Sequence, residues 1–139
     1  MSVSPEFKGF ALAYGMGRPQ AVWTTFVADL ETPVSTMLKL AEGRADSFLL
    51  ESVEGGAVRG RYSVIGLKPD LIWRCYGAKA EINTSARYDP DAFEPCTEKA
   101  LDSMRGLIRE CRFDLPETLP PMAAGLVGYV GYDMVRHME

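Results

Sequence analysis

Glu51, Ser52 and Arg61 lie within eleven residues of one another and carry the chemistry most easily read from this sequence. An acid, a hydroxyl and a guanidinium can together hold a small zwitterion. The carboxylate faces an ammonium, and the guanidinium can take a carboxylate with bidentate geometry. The residues alone leave a second reading open, in which the three groups are solvated charges on a surface hairpin. Catalytic constellations are not evident. There is one histidine, His137, and no pair of carboxylates that reads as a metal site. No nucleophile has a base beside it.

The segments that would position these side chains are two short apolar runs, Ser47-Phe48-Leu49-Leu50 and Tyr62-Ser63-Val64-Ile65. Their β-branched, aromatic and aliphatic content suits a pleated, half-buried surface. Gly55, Gly56 and Gly60 lie between them, and glycine supplies the positive φ that a reversing chain needs. Glu51 and Ser52 then fall at the C-terminal end of the first strand, and Arg61 at the start of the second.

The rest of the chain reads as alternating short elements. Residues 1–20 are irregular, with a short helix or a pinned strand at Phe10 to Tyr14. Ala21 to Asp29 has strand composition. Thr32 is an N-cap and Pro33 a first helical residue, so a helix is expected over Pro33–Glu42, closed by Gly43. Leu71 to Tyr76 and Lys79 to Ile82 form a hairpin about Gly77-Ala78. Asn83 to Pro95 is a polar loop, and a second helix, capped by Thr97, runs over Thr97–Arg112. Its apolar face carries Ala100, Leu101, Met104, Leu107, Ile108 and Cys111, opposite Asp102 and Arg105. A proline-rich connector follows from Phe113 to Ala124.

Gly125, Gly128 and Gly131 recur at every third position. That spacing is not a phosphate-binding G-x-G-x-x-G loop, so a strand with close backbone contacts is expected. From Tyr132 a helical pattern begins and no cap closes it. Hairpin-like strands without a regular βαβ order predict an α+β fold. An antiparallel sheet of about five strands is flanked by two main helices, with Leu49, Leu50, Val64, Ile65, Leu71 and Ile72 in the core.

Composition narrows the function classes. A chain of 139 residues suits one domain with its own core. The formal net charge of -4 argues against nucleic acid or an anionic membrane as partner. No apolar run is long enough to span a bilayer, and the N-terminus lacks signal-peptide character, so a cytoplasmic location is expected. Cys75, Cys96 and Cys111 are irregularly spaced, which predicts free thiols and no zinc site.

Three stretches, in order, carry a family resemblance. They are Thr32-Pro33-Val34-Ser35, Leu49-Leu50-Glu51-Ser52 and Gly125-Leu126-Val127-Gly128-Tyr129-Val130-Gly131-Tyr132-Asp133. Together they resemble the N-terminal region of anthranilate synthase component I, and the likeness extends from about Phe26 to Arg136. The resemblance implies the N-terminal portion of a two-layer chorismate-utilising enzyme fold. It implies that residues 1–139 are a regulatory region whose catalytic, chorismate-binding continuation lies outside this sequence. The parent enzyme, a lyase, would convert chorismate and ammonia to anthranilate and pyruvate for tryptophan biosynthesis. Its magnesium would be held outside these residues, and its ammonia would come from a glutamine amidotransferase, component II. The Leu-Leu-Glu-Ser element implies tryptophan feedback inhibition at Glu51 and Ser52, with Arg61 near the position of a facing basic residue. The resemblance assigns these residues no catalytic role and no metal. Apolar surface that the parent covers would be exposed and could support oligomers. The related aminodeoxychorismate synthase component I of the folate pathway is the alternative within the family. A stand-alone amino-acid-binding module is the alternative outside it.

Overall fold

The computed structural model describes residues 2–51 and 62–137. They fall into two compact units, one from Met1–Asp29 with Gly106–Tyr129, the other from Leu30–Arg105 with Val130–Glu139. The class is α+β. Among the described residues three α-helices accompany seven short strands, and every strand pair is antiparallel. In place of the single sheet of about five strands expected from sequence, the described residues form three small sheets, two of two strands and one of three.

In the first unit, β1 (Val3–Ser4) pairs with β2 (Trp23–Thr24). The Thr24 hydroxyl donates to the Ser2 carbonyl at 3.0 Å. Between the strands lies α1 (Phe7–Gly15), so the Phe10 to Tyr14 stretch is helical. The rings of Phe10 and Tyr14 stack one turn apart, 5.8 Å between centroids. Gln20 Nε2 donates to the Phe10 carbonyl at 3.0 Å, bringing the chain back along the helix. The strand expected over Ala21 to Asp29 is only two residues long. Its partner β1 offers no more than two, and a strand extends only as far as its backbone groups find partners.

The glycine triad is also corrected. Residues 126–130 form no strand. A Cβ added at Gly128 would meet no atom within 4 Å, so close contact does not explain that glycine. Gly125 has φ +147°, a conformation that side chains disfavour, which accounts for glycine there. The helical pattern from Tyr132 appears as a 3-10 helix, Tyr132–His137.

In the second unit, α2 (Pro33–Ala41) begins as the sequence dictates. The Thr32 hydroxyl accepts from the Ser35 N–H at 3.0 Å, and the Ser35 hydroxyl accepts from the Thr32 N–H at 2.9 Å. This reciprocal cap satisfies two N–H groups that the first turn would leave unpaired, and such caps contribute about 1 kcal/mol. Pro33 takes the first helical position. The helix ends at Ala41, with Glu42 and Gly43 both left-handed, at φ 48° and 73°. Closure therefore starts one residue before the glycine expected to supply it.

The Glu31 carboxylate extends the cap. It pairs with the Lys39 ammonium and accepts from the Ser35 hydroxyl at 2.8 Å. Lys39 first, then Ser35, holds its pKa below the ordinary 4.5. A lowered carboxylate pKa stabilises the fold above the unfolded-state value, and that stability fades as pH falls through the folded-state value. We expect the unfolding midpoint of Glu31→Gln to be less sensitive to acid than the parent's below about pH 4.5. The group is exposed, so the difference should be small and should shrink in salt. Urea melts at pH 3 and 7 would check it. A variant and parent with equal pH dependence would contradict the assignment.

The three-stranded sheet joins β5 (Ile72–Tyr76), β6 (Lys79–Asn83) and β7 (Glu94–Pro95) in that order. The β5–β6 hairpin is the one expected, and Gly77 at φ 59° makes its turn. The polar loop was expected to run through Pro95. Its end instead pairs with β6, and proline is tolerated there because β7 is an edge strand. Alternation splits the hairpin into two faces. On one face, Trp73 Nε1 donates to the Ser103 hydroxyl of α3 (Ala100–Glu110) at 3.1 Å. On the other, Arg74 and Glu81 are cross-strand partners joined at 3.0 Å. The Arg74 guanidinium lies 3.5 Å from the Phe93 ring centroid, within cation–π range.

The helix α3 is shorter than the expected Thr97–Arg112. Thr97 lies three residues before it, and the first-turn N–H groups of Asp102 and Ser103 donate to the Lys99 carbonyl instead. Its amphipathic pattern holds. Ala100 and Leu107 are buried, while Asp102 and Arg105 are exposed and paired at 3.3 Å. Ile108, expected on the apolar face, is 42% exposed, and Cys111 lies past the helix and is exposed. All three cysteines are free thiols.

Among the described residues, the buried apolar ones are Ala41, Ala80, Ala100 and Leu107. The expected core is therefore corrected. Leu49, Val64, Ile65, Leu71 and Ile72 are half-buried, and Leu50 is 42% exposed. Strands in two- and three-stranded sheets have too few neighbours to enclose their side chains fully.

Candidate functional site

The site strands pair in the second unit. Strand β3 (Phe48–Leu50) runs antiparallel to β4 (Val64–Gly66), with Phe48 opposite Gly66, Leu49 opposite Ile65 and Leu50 opposite Val64. This is the pairing expected from the two apolar runs. The helix α2 packs against both strands. The entry to β3 is fixed by the Ser47 hydroxyl, which donates to the Arg44 carbonyl at 2.9 Å.

Glu51 follows the last residue of β3, one position beyond the Leu50–Val64 pair, and is exposed. Its carboxylate is therefore available to a ligand at that end of the hairpin. The other two candidate residues, Ser52 and Arg61, lie outside the described residues.

One contact in the hairpin was not visible from sequence. The Phe48 ring lies over Gly66, so that a Cβ added there would sit 2.0 Å from Phe48 Cε1, 2.3 Å from Cζ and 2.8 Å from Cδ1. Gly66 does not have a positive φ, so the ring and not the backbone demands glycine. Aromatic side chains covering cross-strand glycines are a recognised sheet device. A glycine closing a β-branched run opposite a strand that starts with phenylalanine is the signal that could have suggested it.

Asn83 was also missed. Its side chain is fully buried at the end of β6. Nδ2 donates to the Asp89 carbonyl and Oδ1 accepts from the Ser85 N–H, both at 2.8 Å. The residue holds the loop after β6 in shape, which is a structural role.

In the first unit, an open cleft of about 470 Å³ lies between the end of α3 and the proline-rich connector. Ile108, Phe113, Leu115, Pro121 and Leu126 form apolar walls, and Arg112 is its charged group. It gathers no acid–base or nucleophile pair. Among the described residues no three His, Cys, Asp or Glu side chains come together as metal ligands. None of the described helices is long and apolar enough to cross a membrane.

The chain is 54% identical over 134 residues to anthranilate synthase component 1 of Cereibacter sphaeroides, a match covering 96% of this chain and 27% of that protein. It is 36% identical over 138 residues to anthranilate synthase component 1 of Synechocystis sp., covering 99% and 26%. The protein of that name from Arthrobacter globiformis is 33% identical over 142 residues, covering 99% and 25%. The chain thus spans about a quarter of the length of the curated relatives it matches. No family model and no solved structure matches it.

Proposed function

We propose that this chain, 54% identical along nearly its whole length to an anthranilate synthase component 1, is the N-terminal, tryptophan-sensing part of a larger tryptophan-biosynthetic enzyme of that family. The whole enzyme would convert chorismate and ammonia to anthranilate and pyruvate. The observation that carries this reading is 54% identity along nearly the whole chain to a protein of that name. Residues 1–139 form one regulatory region in this proposal, and the chemistry, with its magnesium, belongs to sequence outside them. Ammonia would be delivered by a glutamine amidotransferase partner, component II, in the cytoplasm.

Tryptophan is the proposed ligand of the β3–β4 end, held by Glu51, Ser52 and Arg61. The exposed Glu51 carboxylate can accept from the ligand ammonium. Ser52 supplies one hydrogen bond, and Arg61 can take the ligand carboxylate. A ligand shifts an equilibrium between arrangements only through differential affinity for them. A site completed by a second region of the enzyme has that property, because moving one region against the other changes the pocket.

The proposal predicts that the 139-residue chain alone turns over no chorismate, with magnesium and ammonia present. The assay is anthranilate fluorescence against chain concentration. A rate proportional to that concentration would contradict it. A longer protein carrying this sequence should produce the fluorescence.

A further inference from the structure

We infer that Phe48 and Gly66 act together as a register lock that positions the ligand-binding end of the β3–β4 hairpin, making both positioning residues for inhibitor affinity. The inference rests on the tryptophan-site reading above and adds the residues that set the site's geometry.

The β3–β4 ladder among the described residues is only three pairs long. A two-stranded ladder of that length holds its register weakly, and a one-residue slip sends every side chain to the opposite face. The Phe48 ring occupies the space a Cβ would need at its cross-strand partner, so opposite a residue that carries one the ring or the strand must shift. The neighbours of Gly66 are Ile65 and Leu67, and two residues away are Val64 and Lys68. All four carry a Cβ, so slipping by one or two residues either way places a side chain under the ring. The observed register is thus the one the pair favours.

The lock closes one end of the ladder, and Glu51 follows the other. With the ladder fixed at Phe48–Gly66, Glu51 is held two residues past Leu49, whose partner is Ile65. Adding a methyl at Gly66 forces the ring or the strand to move, and with three pairs in the ladder that movement reaches Glu51.

The experiment uses the longer protein that carries this sequence, with tryptophan as the probe and anthranilate fluorescence as the readout. Gly66→Ala should raise the tryptophan inhibition constant about tenfold or more, within the usual range of coupling between sites. Its kcat, and its KM for chorismate, should stay within about twofold of the parent, because a positioning residue for the inhibitor leaves transition-state binding intact. Phe48→Ala introduced into Gly66→Ala removes the clash and should recover part of the lost inhibition. A merely structural lesion would lower kcat and inhibition together and would not be rescued.

Glu51→Ala, scored against its own uninhibited rate, separates the two claims. Weakened inhibition in Glu51→Ala with normal inhibition in Gly66→Ala overturns the register lock alone. Normal inhibition in both overturns the tryptophan-site reading. Should Gly66→Ala fail to fold, Phe48→Ala alone decides. It frees the register without adding a clash, so weakened inhibition supports the lock and unchanged inhibition overturns it.

Discussion

Replacing Ser52 by phenylalanine in the longer enzyme should weaken tryptophan inhibition more than a hundredfold. The expectation is built from the smaller substitution. On the proposed tryptophan site, Ser52→Ala would remove one hydrogen bond to a charged ligand, at a cost of about 1.5–3 kcal/mol, roughly ten- to hundredfold in affinity. Phenylalanine would remove the same bond and add bulk that clashes with the proposed ligand. The quantity to measure is the tryptophan inhibition constant of each variant, scored against its own uninhibited rate. If both variants keep the parent's constant, tryptophan does not bind beside Ser52. If both lose turnover and inhibition together, Ser52 is structural and the solvated-hairpin reading of these residues stands.

The second large effect concerns the fold. Asn83→Asp should destabilise the chain by about 2–4 kcal/mol, although the two side chains have nearly the same shape. The site is fully buried. Nδ2 now donates to the Asp89 carbonyl at 2.8 Å, and a carboxylate oxygen in its place would face that carbonyl without a proton. The Ser85 N–H would still find an acceptor, so one bond survives and one becomes a repulsion. Burial and the facing carbonyl would both raise the pKa of the introduced carboxyl. Protonation restores a donor, so the loss should shrink as pH falls. Urea unfolding of the chain at pH 7 and pH 5 measures both effects. A variant within 0.5 kcal/mol (roughly the range of ordinary surface changes) at both pH values would contradict the role given to Asn83.

The elements legible in the sequence are those whose signals are local. Thr32-Pro33 with Ser35 three residues past the cap specifies the start of α2 through its own hydrogen bonds. The β5–β6 hairpin is specified by apolar runs about Gly77. What escaped depends on partners distant in sequence. Strand β7 was hidden because Pro95 reads as loop until β6 is known to lie beside it with the outer edge free. The strand expected over Ala21 to Asp29 shrank to Trp23–Thr24 because propensity cannot reveal how long a partner will be. The glycines at 125 and 128 were read for close contacts, yet one answers to backbone conformation and the other to neither cause.

The candidate site divides in the same way. Glu51 could be placed at the end of a strand from the apolar run before it, and it stands there. The cover of Gly66 by Phe48 could not be, because it exists only once the register pairs them. Asn83 looked like an ordinary loop residue. Its importance comes from burial and two bonds to a loop that folds back on it.

Whether tryptophan regulates anthranilate formation is decided by following anthranilate fluorescence in the longer protein, with chorismate, magnesium and ammonia, while titrating L-tryptophan. Fluorescence should rise at a steady rate, tryptophan should suppress it to a saturable limit, and phenylalanine at the same concentrations should not. Chorismate consumed without anthranilate, with an aminodeoxychorismate accumulating instead, would contradict the assignment to tryptophan biosynthesis. So would anthranilate formation that tryptophan leaves unchanged.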